Sequence, residues 1–299
     1  MEIVKFSEFS ASELTRLWNE GFKEYAFDMT LSVDAFIKRI PENQLSMEAS
    51  IAICDDGRPV GFVMSGFRTV DGRLTAWNGG TGIIPEYRGR GIGKQLIGAA
   101  LDLYREKGAE VALLEALSEN EPAVKLYGKM GYRRIGDLRF YEQKEGLPPD
   151  AFATNASDAY DFQFGLPQDI QRFKLPVGDM PWQTHWENVV GGESVIATDA
   201  NGDIAGYALF KRTMDSDGQH KSTILYQCRT VKGPKEETSE LLKALLSKAY
   251  APLDAKVLRR IINLPLSEKQ LVHLVEEAGF KTSLNQVHMK CDLNKRLGV

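Results

Sequence analysis

The chain has 299 residues, 43% hydrophobic and 26% charged, which excludes low complexity and gross disorder and suits about two domains of roughly 150 residues each. With 37 Lys and Arg against 41 Asp and Glu, a net charge of −4, there is no basic excess to hold nucleic acid or an anionic membrane, and neither is expected as a partner. No apolar run approaches the ~18 residues that span a bilayer, and the start MEIVKFSEFS lacks the basic and apolar regions of a secretory signal, so a cytoplasmic protein is expected.

In chain order, Glu2–Phe6 reads as a short strand, Ser10–Tyr25 as a helix opened by Ser10, and Met29–Ile40 as a second helix. Strands are expected at 49–54, 59–68 and 74–84. A glycine-rich turn at 88–93 then opens a helix to Lys107, closed by Gly108, with Ile97, Leu101 and Tyr104 on one face. Strand Glu110–Ala116, a helix to Met130 with Ser118 and Glu121 spaced as a capping box, and a strand pair near 132–143 complete the first half. The first hairpin recurs: Gly57 and Gly61 reappear 145 residues on as Gly202 and Gly206. Gly131, which ends a helix, reappears 148 residues on as Gly279. Two matched features in the same order indicate a tandem repeat. Paired prolines and small polar residues mark the boundary, giving domains at 1–148 and 158–299 with a linker at 149–157.

Cys54, Cys228 and Cys291 are odd in number and far apart, as reduced structural thiols are. There is no CxxC, and His185, His220, His273 and His288 lack ligand-like spacing, so no metal is expected and the four read as ordinary histidines.

The chemistry concentrates in two segments. Arg88-Gly89-Arg90-Gly91-Ile92-Gly93-Lys94 joins a strand to a helix through alternating glycines. Such a turn gathers backbone N–H groups at a helix N-terminus and suits a pyrophosphate, with Arg88, Arg90 and Lys94 adding charge. A P-loop is excluded because Arg88 stands where its first glycine belongs and Gln95 follows the lysine. A dinucleotide fingerprint is excluded because Lys94 replaces its third glycine. In the second segment, Asn120 to Tyr132, residues Ala123, Leu126, Tyr127 and Met130 form one helical face, and packing alone explains most of it.

Together the segments resemble the GNAT acyltransferase superfamily. Its Arg/Gln-x-x-Gly-x-Gly/Ala signature is matched from Arg88 to Gly93, and its Asn-x-x-Ala-x-x-Leu-Tyr-x-x-x-Gly-Phe/Tyr pattern from Asn120 to Tyr132, over roughly residues 1–145. The resemblance implies two tandem GNAT-like α/β (α+β) domains, each a mixed, mostly antiparallel sheet flanked by helices. It implies acetyl-CoA as cosubstrate, its pantetheine arm along the backbone of Gly82, Ile83 and Ile84 and beside Asn120, its pyrophosphate on residues 88–93. Tyr127 would stand near the sulfur and protonate the leaving thiolate. A lysine-like ammonium, pKa about 10.4, must lose a proton before it attacks. Glu115, spaced five residues before Asn120 as in GNAT enzymes acting on protein N-termini, is the candidate base, with an ion-paired strand carboxylate the competing reading.

In the second repeat, Val275 falls at the tyrosine position, Glu268 at the asparagine position, and Lys232-Gly-Pro-Lys-Glu-Glu-Thr-Ser239 replaces the glycine loop. That repeat is expected to be a degenerate GNAT-like domain, with Trp182 and Trp186 as a candidate aromatic wall. The expected activity is transfer of an acetyl group to a small-molecule or peptide amine by direct attack, in a monomer or homodimer. A non-catalytic acyl-CoA-binding regulator is the alternative.

Overall fold

In a computed structural model, the structure describes residues 1–156, 159–173, 178–231 and 235–294. The chain forms two compact units, one of residues 1–135 with the chain from 287 on, the other of residues 136–286.

The first unit opens with β1 (Glu2–Lys5) and α1 (Ala11–Gly21). Ser10 caps α1 through a reciprocal capping box with Glu13, as its sequence suggested. The helix is shorter than expected, because Phe22 ends it and Glu24 takes a positive φ of 66°. The second helix starts later than expected, as α2 (Val33–Glu42) capped by Ser32. Residues 29–31 are held outside it by Trp18 Nε1 donating to the Met29 carbonyl at 2.7 Å and by Asn19 bonding both polar groups of Leu31. Strands β2 (Ile51–Asp55), β3 (Arg58–Val70) and β4 (Arg73–Ile83) follow as hairpins. Both tight turns, Asp56-Gly57 and Asp71-Gly72, place two residues at positive φ, as right-twisted two-residue hairpins require. Then come α3 (Ile92–Glu106), β5 (Val111–Leu117) and α4 (Glu121–Lys129).

The expected strand pair near 132–143 is a single strand, β6 (Arg133–Gln143), and from residue 136 it belongs to the second unit, paired antiparallel to β11 (Leu258–Pro265). The first unit is completed instead by β12 (Lys281–Asp292), giving the order β1-β2-β3-β4-β5-β12. Each unit thus takes its last strand from the other repeat. Helix α1 packs on β3 and β4, and α3 packs on β2, β3 and β4. Trp18, Phe36 and Phe62, each 1% exposed, form the centre of the α1 side, and burial of such side chains supplies about 1.5–3 kcal/mol each.

The second unit repeats the plan with β7 (Asp161–Gly165), β8 (Glu193–Thr198), β9 (Ile204–Met214), β10 (His220–Thr230), α5 (Lys235–Tyr250), β11 and α6 (Lys269–Glu277), in the strand order β6-β11-β10-β9-β8-β7. Its core joins Leu241, Leu245 and Leu246 of α5 to Val195, Ala208 and Leu225 of the sheet. The stretch expected as a linker, 149–157, reaches this core: Phe152 is 2% exposed and stacks against Tyr250, so one buried ring outweighs the flanking prolines. Residue 157 lies outside the described residues.

Candidate active site

Strands β4 and β5 run parallel and pair at four positions, Thr75 with Val111 through Asn78 with Leu114. Past that point β4 pairs with β3 alone, from Gly80 with Met64 to Ile83 with Gly61, so β4 and β5 part. Gly79 is the extra residue of a bulge where the parting begins. A β-carbon there would lie 2.5 Å from the Trp77 ring and 2.8 Å from Leu45. Arg39 Nη2 holds the Gly79 carbonyl at 2.9 Å, while the guanidinium stacks 4.7 Å over the Trp18 ring.

Gly82, Ile83 and Ile84 do not present their backbone equally. Ile84 N–H donates to the Val60 carbonyl at 3.0 Å. By the alternation of an antiparallel ladder, Gly82 also turns its N–H to β3, and Ile83 and Thr81 face the parting. Gly82 is glycine for packing: a β-carbon would lie 2.5 Å from the Phe62 ring.

The turn at the head of α3 is an anion cradle. Arg88 N–H bonds to the Pro85 carbonyl, but the N–H groups of residues 89–93 have no acceptor among the described residues. Gly89 and Gly91 have φ of 75° and 81°, and a β-carbon on either would meet nothing within 4 Å, so the concave side is open. Five donors at a helix N-terminus suit a pyrophosphate. Gly93 is glycine for another reason, since its β-carbon would lie 2.8 Å from Leu126 Cδ2 of α4. The side chain of Arg88 was expected beside the phosphates and is turned elsewhere. Its Nε donates to the Ile83 carbonyl, and its two terminal nitrogens reach Glu24, Gly21 and Lys23. Arg90 lies over the Tyr87 ring at 5.2 Å. Ile92 is buried on α3, and Lys94 N–H closes the first turn on the Gly91 carbonyl.

Asn120, not Ser118, caps α4: its side chain accepts from Ala123 N–H. Tyr127 is 8% exposed. Its hydroxyl is within hydrogen-bond reach of Thr81, beyond the last β4–β5 pair, and burial raises its pKa above the ordinary phenol value. Tyr25, in the turn after α1, joins them: burial, with Tyr127 nearby, pushes it up to about 12, and Asn120 bonds its hydroxyl. Its place beside Tyr127 and Asn120 was not visible in the sequence.

Glu115 is the first β5 residue past the paired segment. Its side chain is 4% exposed. Trp77 Nε1 donates to Oε2 at 2.7 Å, and His288 Nε2 of β12 lies 3.7 Å from Oε1. His288 was missed because 173 residues separate it from Glu115.

In the second unit Val275 is fully buried and Glu268 heads α6 with no side-chain cap. Residues 232–234 of its loop segment lie outside the described residues. Trp182, expected on an aromatic wall, is 2% exposed and packed inside that unit. Among the described residues no three His, Cys, Asp or Glu side chains group as a metal site, and no helix is long and apolar enough to cross a membrane.

A parted pair of parallel strands, a turn of outward N–H donors heading the next helix and a buried tyrosine on the one after it make up the site of the first unit. Residues 11–132 match the model of the Acetyltransferase (GNAT) family, and this part of the chain is a GNAT acetyltransferase domain. The chain is 35% identical over 93 residues to the streptothricin acetyltransferase of Streptomyces lavendulae, 31% of this chain and 48% of that protein. It is 38% identical over 77 residues to the N-alpha-acetyltransferase RimI of Mycobacterium tuberculosis, 26% of this chain and 47% of that protein. The matches thus span less than half the length of these relatives. A tandem GNAT protein from the clavulanic acid biosynthesis pathway has the same fold from end to end, at a TM-score of 0.65 and 15% identity, covering 99% of both chains.

Proposed function

We propose that the first unit transfers an acetyl group from acetyl-CoA to a primary amine by direct attack. The observation that carries this reading is the placement of the Tyr127 hydroxyl at Thr81, on the parting that leads from the open cradle of residues 89–93. Bound acetyl-CoA supplies an electrophilic thioester carbonyl and a thiolate leaving group. The cradle N–H groups hold the diphosphate, and the outward N–H groups of Ile83 and Thr81 take the acyl arm as an added strand would. The bulge at Gly79 turns backbone toward the attacked carbonyl, where N–H donors stabilise negative charge on oxygen. Tyr127, still protonated at neutral pH, donates its proton to the departing sulfur. Glu115, on the other strand of the parting, accepts the amine proton directly or through one water. Amines figure in this reading because the relatives include an N-alpha-acetyltransferase.

Calorimetry with acetyl-CoA, followed by thiol release against streptothricin and a peptide with a free α-amine, tests the proposal. The expected result is binding of acetyl-CoA and amine-dependent thiol release that is lost in Tyr127→Phe. Failure to bind acetyl-CoA overturns it. Binding with no release for either amine favours the regulator.

A further inference from the structure

We propose that His288 is a positioning residue for proton removal from the attacking amine, so that the base is a Trp77–Glu115–His288 set completed by the last strand of the chain. This rests on the reading of Glu115 as the proton acceptor. Leu293 N–H donates to the Glu110 carbonyl at 2.9 Å. Five residues back along β12 and five on along β5 bring His288 to Glu115, where Nε2 lies 3.7 Å from Oε1 and both side chains are 4% exposed. The Trp77 indole fixes the other carboxylate oxygen at 2.7 Å. The carboxylate is therefore held between a neutral donor and an imidazole, just past the last β4–β5 pair.

The chemistry requires a partner of this kind. A lone carboxylate, pKa about 4.3, is a poor acceptor at neutral pH, whereas imidazole, about 6.5, matches it. The amine proton passes to Glu115 and is stored as imidazolium at His288, drawn within hydrogen-bond distance by about 0.5–1 Å or bridged by one water. The nitrogen–carbon bond forms, the carbon–sulfur bond breaks, Tyr127 protonates the sulfur, the second proton shed by the new amide nitrogen restores the Tyr127 hydroxyl through water, and the stored proton then leaves to solvent. The charged groups on this side are Arg39 and Glu42 of α2, Arg68 of β3 and, by strand alternation, Lys290 and Asp292 of β12, the last paired with Arg133.

The second repeat supplies an independent comparison. By the strand registers, in which the pairs Thr75–Val111 to Asn78–Leu114 answer to Ser222–Leu258 to Leu225–Ile261, Trp77 and Glu115 correspond to Ile224 and Ile262, and at the 148-residue offset of the last strands His288 corresponds to Phe140. All three groups are replaced in the repeat that also lacks the tyrosine and the asparagine, as expected of one chemical unit.

The test uses the full chain. The His288 imidazole is titrated by nitrogen NMR in the wild type and in Glu115→Gln, and kcat/KM is followed against pH with n-butylamine and with hydroxylamine, which is already unprotonated at neutral pH. The expected results are a His288 midpoint lower by at least one pH unit in Glu115→Gln, a tenfold loss of proton affinity, and a fall of about 10- to 100-fold in butylamine turnover in His288→Gln. The acidic limb should move more than one unit toward lower pH in His288→Gln, with hydroxylamine turnover and the KM for acetyl-CoA unchanged. An unmoved His288 midpoint, or an unmoved limb in His288→Gln, overturns the proposal. If Glu115→Gln slows butylamine and His288→Gln does not, the positioning role alone falls. If Glu115→Gln has no effect while Tyr127→Phe does, the reading of Glu115 falls and takes the inference with it.

Discussion

Arg88 Nη2 donates to the Lys23 carbonyl at 2.7 Å and to the Gly21 carbonyl at 3.2 Å, so the first residue of the glycine signature ties the cradle to the C-terminal end of α1. Nε of the same guanidinium holds the Ile83 carbonyl. The planar fork is used as a strut with several directed bonds, which a single ammonium cannot reproduce. Arg88→Lys and Arg88→Ala should therefore weaken acetyl-CoA binding to a similar degree, by roughly tenfold for about 1.4 kcal/mol of lost support. Calorimetry decides: wild-type affinity in Arg88→Lys would show that only its charge matters.

Much of this was legible where the chemistry is local. The glycine turn, the cap at Ser10 and the Asp-Gly hairpins depend on residues a few positions apart, and all formed as their spacing implies. The use of Arg88 was not legible, because two of its acceptors are the backbone carbonyls of Gly21 and Lys23, more than 60 residues away, and any sequence supplies carbonyls. The end of the first unit was hidden for a related reason. Strands β6 and β12 close repeats of similar pattern, so hydrophobic alternation cannot say which sheet receives which strand. His288, delivered by that exchange, looked ordinary.

Gly91 and Gly93 of the loop should fail in different ways. Gly91→Ala places a side chain at a φ of 81° with open space around it, costing about 1 kcal/mol in backbone strain. Acetyl-CoA affinity should fall with little change in melting temperature. Gly93→Ala pushes a methyl against Leu126, at 2.8 Å, and should lower stability by about 1–3 kcal/mol, relieved by Leu126→Ala. Thermal unfolding of the single and double variants separates the cases; no relief in the double variant would contradict the packing account.

Tyr25 links pH to stability. Its folded pKa of about 12 lies above the ordinary phenol value of 10.0 because burial and Tyr127 oppose ionisation. A raised folded pKa gives stability that is complete below the unfolded value and lost as pH rises through the folded one. Unfolding midpoints should hold to about pH 10 and drop between about 10 and 12, and Tyr25→Phe should flatten part of that drop. Denaturant titrations at stepped alkaline pH check it, and an unaltered slope in the variant would place the cause in other groups.

The second unit should contribute no acetyl-CoA site, because its own parting is filled. Strands β10 and β11 pair from Ser222 with Leu258 to Leu225 with Ile261, then separate. Past that point Gln227 Nε2 donates to the Thr184 carbonyl at 2.6 Å, and Asn263 Nδ2 donates to Gln183 Oε1 at 3.2 Å. The turn Trp182–Thr184 is thus bonded to both separated strands where the first unit stays open. Tyr207 locks Gln227 from the other side through a 2.5 Å bond to Oε1. Calorimetry should give one equivalent of acetyl-CoA per chain. Gln227→Ala should cost about 1–3 kcal/mol, because it removes the side-chain donor from the carbonyl of buried Thr184 and one bond from the Tyr207 hydroxyl, while acetyl-CoA affinity stays as in the wild type. Two equivalents in the wild type would mean that the 182–184 turn yields to the ligand.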